Sequence, residues 1–179
     1  MRASNRARLN TISSDGSLRV PTAAHRFVIR PLAVDDSGPV SPALGPALLL
    51  SPLAGARDAW VTEVKGASPQ AAWRMLQRRL GARFQALPIL TDDEVGARYP
   101  TGRIGVRFSA PVSDADLQRL ASAAGARVLK RTQRSDRQAA FAAADPAAQY
   151  LPDVVERLKQ DPAVSTAWLD AQSAYRRGS

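Results

Sequence analysis

The chain contains no cysteine and a single histidine, His25. Without cysteine it can form no disulfide, offers no thiolate nucleophile and has no sulfur ligand for a metal, and the absence decides nothing about redox compartment. A Ser-His-Asp arrangement has to use His25, which sits just upstream of the first strand candidate, and no nucleophile-elbow sequence supplies the serine. Aromatic residues make up only 6% of the sequence, so few large rings are present to cover a core. Long apolar runs are missing too. Runs such as residues 46–50 fall far short of the ~18 residues of a membrane span. Residues 1–18 are rich in arginine and serine and lack the apolar centre of a secretory signal, so the expectation is a cytoplasmic protein unless the chain is a fragment of a secreted precursor.

Lysine is also scarce, with 3 against 22 arginines, and alanine is abundant. That balance reads as a compositional habit more than as an RNA-binding signature. The net charge of +9 is unevenly distributed. Residues 1–30 hold six arginines against Asp15, residues 31–100 are balanced at seven of each sign, and residues 101–179 hold twelve bases against eight acids. More than half of the excess therefore lies in residues 1–30, of which residues 1–24 are a basic N-terminal segment expected to be disordered. At 179 residues the chain can bury one sizeable core or two small ones.

Residues 99–175 carry the clearest pattern: strand, helix, strand, strand, helix, strand. Ile104, Val106 and Phe108 alternate with Arg103, Gly105 and Arg107 at the spacing of a half-buried strand. Ser113 with Asp116 three residues on predicts a helix start, Leu117, Leu120, Ala121 and Ala124 give its apolar stripe, and Gly125 its stop. Strands over residues 127–132 and 138–143 form a hairpin around a polar turn. Asp145-Pro146 breaks the chain before a second amphipathic helix marked by Leu151, Val154, Val155 and Leu158, and residues 164–170 make the last strand. Trp168 on that strand is expected to cover much of a small core.

The first half is a smaller αβ unit, residues 25–98. Residues 25–32 and 60–64 read as strands, residues 39–52 as a loop, and Ser68-Pro69 opens a helix over residues 69–80 whose apolar face is Ala72, Trp73, Leu76 and Leu80. A strand over residues 83–90 follows. The run Leu76 to Phe84 echoes Leu117 to Val128, a helix with a glycine stop running into a strand in both places.

No motif here carries catalytic chemistry. Asp92-Asp93-Glu94 and Asp114-x-Asp116 fall in a turn and a first helical turn, where turn and capping roles suffice, and neither has partner ligands at metal spacing. Gly102-x-x-Gly105 lacks the other elements of a phosphate loop and opens a strand. The expectation is a non-enzyme with no cofactor, no metal and no membrane partner. A βαββαβ unit could also be an RRM-like nucleic-acid binder or a ligand-sensing module. The first needs exposed aromatics on its two central strands, where only Phe108 and Phe141 stand, and Phe108 shares the parity of the core residues.

The segments Tyr99-Pro-Thr-Gly-Arg-Ile-Gly-Val-Arg-Phe108, Gly125-Ala-Arg-Val128 and Val155-x-x-Leu158-x-x-Asp161-Pro162-x-Val164, with the lead-in Pro88-Ile-Leu-Thr-Asp-Asp93, resemble the propeptide domains that precede subtilisin-like serine proteases. The resemblance implies an α+β, ferredoxin-like βαββαβ antiparallel sheet with two helices on one face over residues 99–170, preceded by the smaller αβ unit. It also implies an inhibitor and intramolecular chaperone, with a subtilisin-like catalytic domain as partner in cis or in trans. An extended tail, residues 171–179, would occupy the protease's substrate cleft through Ala171, Gln172, Ser173, Ala174, Tyr175, Arg176 and Arg177.

Overall fold

The computed structural model of the chain describes residues 25–32, 49–56, 58–65, 68–92, 96–131 and 135–173. The expected disordered segment, residues 1–24, lies outside them. Among the described residues the fold is mixed α+β, with two antiparallel sheets and three α-helices. The first sheet is built from β1 (Arg26–Pro31), β2 (Ser51–Pro52), β3 (Trp60–Glu63) and β4 (Phe84–Pro88), in the order β2-β3-β1-β4. The second joins β5 (Leu90–Asp92), β6 (Gly96–Phe108), β7 (Ala126–Arg131), β8 (Gln138–Ala143) and β9 (Val164–Ser173). There β7, β8, β6 and β9 lie side by side, and β5 pairs with the start of β6.

Alternation along β6 decides which face of the second sheet is covered. Ile104, Val106 and Phe108 are buried together with Phe141, Ala139 and Ala143 of β8 and Ala167 and Leu169 of β9. Leu117, Leu120, Ala121 and Ala124 of α2 (Asp114–Ala124) and Leu151, Val154, Val155 and Leu158 of α3 (Leu151–Lys159) belong to the same cluster, so both helices cover one face. Ser113 starts α2 as its spacing predicts, accepting from the Asp116 N–H at 3.1 Å. Gly125 ends it at φ +67°, ψ +35°, the left-handed conformation in which a Cβ is costly.

In the first sheet β1 is central and buried on both faces, with Phe27, Val28 and Ile29 at zero exposure. Phe27 and Ile29 pack with Phe84, Ala86 and the apolar stripe of α1 (Pro69–Leu80). Val28 and Leu87 face the other way and join the core of the second half. The echo between the halves holds for helix-glycine-strand order and fails in detail. Gly81 sits at φ +64°, ψ −162° and opens a 3-10 turn before β4, whereas Gly125 passes directly into β7.

The boundary expected at residues 98 and 99 falls inside β6, because the strand starts at Gly96 and pairs there with β5. The lead-in is thus a true hairpin arm. β4 runs through Ile89 straight into β5, so one stretch of chain serves both sheets. Arg30 Nε donates to the Pro100 carbonyl at 3.2 Å, and Gln70 Nε2 donates to Asp153 Oδ2 at 2.7 Å. With the tilted Trp73–Tyr150 pair, ring centroids 5.4 Å apart, these contacts hold the first half against α3 and the start of β6.

Candidate functional site

The second face of the β7-β8-β6-β9 sheet is where the chain presents side chains to solvent. Cross-strand register lays them out in rows. Trp168 stands opposite Gly105, which stands opposite Ala140, which stands opposite Lys130. One row over, Thr166 faces Arg107 and Arg107 faces Gln138, while on the other side Arg103 faces Ala142 and Ala142 faces Arg127. Arg103, Arg107, Arg127 and Lys130 are exposed, and Trp168 is partly exposed. Period-2 alternation puts Asp170 on the same face as Trp168.

The indole lies on the sheet itself. A Cβ built on Gly105 would overlap Trp168 Cε2 and Cζ2, so the ring covers the bare glycine backbone. The expectation that Trp168 fills the core is therefore corrected: Ala167 and Leu169 take the core positions, and strand parity turns Trp168 outward. A flat aromatic surface with Arg103 and Arg107 on the neighbouring strand follows from three residue choices: glycine on β6, alanine on β8 and tryptophan on β9.

β9 is longer than its pattern predicts. Ala171, Gln172 and Ser173 continue the ladder, opposite Pro100, Tyr99 and Arg98. Arg98 Nη2 donates to the Ala171 carbonyl at 3.0 Å, and the Thr101 hydroxyl donates to Asp170 Oδ2 at 2.9 Å. A register shift between Pro100 and Ile104, with Gly102 at φ +86°, reconciles the two stretches of the ladder. Three of the seven expected tail residues are therefore sheet residues, paired with β6. Ala174, Tyr175, Arg176 and Arg177 lie outside the described residues.

The other sequence candidates stay apart. His25 leads into β1, its carbonyl accepting from the Val64 N–H at 2.9 Å and its Nδ1 buried without a partner. Asp116 bonds Ser113, with the Ser113 Oγ to Asp116 Oδ2 distance 2.6 Å, and Asp114 pairs with Arg131 at 3.3 Å. The Ser113 hydroxyl holds the Asp116 carboxyl below its ordinary pKa, helped by the Arg119 guanidinium. No group of three His, Asp or Glu able to hold a metal occurs among the described residues.

Two depressions flank the contact between the halves. One of about 650 Å³ is lined by Trp73, Arg74, Arg78, Gly81 and residues of the turn after β8, and one of about 460 Å³ by Arg74, Tyr150, Asp153 and Arg157. The Tyr150 hydroxyl is buried with no partner, and burial raises its pKa well above the ordinary phenol value, with the neighbouring Asp153 charge adding to the effect. Periodicity names Trp73 as a core residue and is silent on Gln77, the side chain that closes the outer edge of β4. Gln77 Nε2 donates to the Phe84 carbonyl at 2.8 Å, and its Oε1 accepts from the Ala86 N–H at 3.0 Å.

No known family model, curated protein or solved structure matches the chain.

Proposed function

We propose that the protein is a docking module: a propeptide-like domain that binds a subtilisin-like serine protease, assists its folding and inhibits it. Residues 96–173 form a ferredoxin-like βαββαβ unit on this reading. Three features support it: the side-by-side order β7-β8-β6-β9, two helices confined to one face, and the match of that element order to the sequence segments that resemble propeptides. The observation that carries it is the uncovered sheet face beside an edge strand whose chain continues past Ser173. A face of that kind supplies rigid contact area. Residues that leave it in extended conformation can then add to a protease cleft by main-chain hydrogen bonds, with side chains entering alternate pockets.

Because Ala171, Gln172 and Ser173 pair with β6, this reading assigns the cleft to the residues from Ala174 onward. The test is residual activity of a panel of subtilisin-like proteases titrated with the full chain, and with a chain ending at Ser173. The expected outcome is inhibition by the full chain, weakened about tenfold or more by the truncation, because the cleft contacts go and the docking contacts stay. Absence of inhibition across the panel refutes the proposal. Inhibition untouched by the truncation refutes the role of the tail.

A further inference from the structure

Charge on the second half is sorted by layer. Among the described strand residues, the open face carries Arg103, Arg107, Arg127 and Lys130 against the single acid Asp170, whose carboxylate already accepts from Thr101. The helix layer is nearly balanced: α2 and α3 carry Asp114, Asp116, Asp153 and Glu156 against Arg119, Arg157 and Lys159. With its uncompensated cations on the open face, the module is drawn face-first toward negative potential. The aromatic surface of Trp168 lies beside them, over Gly105 and between the rows of Arg103 and Arg107.

We infer that the surface this face recognises is an acidic protein surface, one that presents carboxylates around an apolar side chain able to pack on Trp168. This rests on the docking reading and adds the chemistry of the partner. The arginines sit on the two flanks of the Gly105 row, so they set approach and register, while the indole is the desolvated centre that holds the complex once formed. A single-stranded nucleic acid is a weaker occupant. Successive bases need successive rings, and the neighbours of Trp168 along its row are Gly105 and Ala140.

The experiment measures association and dissociation rates of the full chain with the subtilisin-like proteases it inhibits, across salt from about 0.05 to about 0.5 M. Arg103→Glu with Arg107→Glu is expected to slow association about ten- to a hundredfold and flatten its salt dependence. Trp168→Ala is expected to speed dissociation about thirtyfold with association nearly unchanged. Trp168→Phe, which keeps a ring over Gly105, recovers most of that loss. Both arginines are exposed, and a thermal melt checks that the double variant stays folded. Association indifferent to salt and to charge reversal, in a chain that still inhibits, overturns the inference and leaves the docking reading standing. Inhibition of no protease overturns both. Tight, salt-sensitive binding of a single-stranded oligonucleotide that the same variants abolish replaces the acidic protein surface with a nucleic acid.

Discussion

Gly105 has no room for a side chain, because the position a Cβ needs is already filled by the Trp168 ring. Gly105→Val is expected to push the indole off the sheet and cost about 1–3 kcal/mol, read as a lowered melting temperature and increased accessibility of Trp168 to a fluorescence quencher. Combining it with Trp168→Ala removes the clash, so the double variant is more stable than the sum of the single effects requires. Gln77 makes a different demand. Gln77→Leu conserves size and burial yet leaves the Phe84 carbonyl and Ala86 N–H without their partner, at about 1–3 kcal/mol for each buried group. Tyr150→Phe removes a buried hydroxyl that has no partner and is expected to be neutral or to stabilise by about 1 kcal/mol in a denaturant titration.

At the level of elements, α2 shows how local chemistry sets an end point. The Asp116 carboxyl has its pKa depressed in the folded chain, so its contribution is present above the unfolded carboxylate value of ~3.9 and fades as pH falls through the lower folded value. Ser113→Ala is expected to move the Asp116 titration back up, as followed by NMR of the side-chain carboxyl. Elements of this kind were legible in the sequence because their determinants lie within a few residues of one another: Ser113 and Gly125 around α2, Ser68-Pro69 before α1, the alternation of β6 and β8. The extension of β9 to Ser173 was not legible. Its cause is the long-range ladder to Arg98 and Tyr99, and a run of small polar residues at a chain end carries no strand signal of its own. Trp168 was misplaced for a related reason. Bulk suggests a core, whereas the parity of β9 and the absence of a side chain at Gly105 decide the face. Gln77 escaped notice because its value lies in closing a strand edge, which hydrophobic periodicity does not report.

The two halves form one buried body at the scale of the whole molecule. Val28, Leu53, Leu87 and Ile89 share a cluster with Ile104, Phe141 and Leu158, and Tyr150 sits in the cluster of α1. Trp60 and Trp73 report on the first half and Trp168 on the second. A chain keeping only Trp60 and Trp73 and a chain keeping only Trp168 are expected to lose their native fluorescence at the same fraction of each variant's circular-dichroism transition. Two separated transitions would show independent units. The placement of β6 also has a consequence in time. This strand lies between β8 and β9, and β9 is the last described element to leave a ribosome. Until residue 173 has emerged, one long edge of the central strand has bare N–H and carbonyl groups in register for any passing strand. The nascent chain is therefore exposed to wrong pairing until β9 has emerged, and a pause after α3 would lengthen that interval.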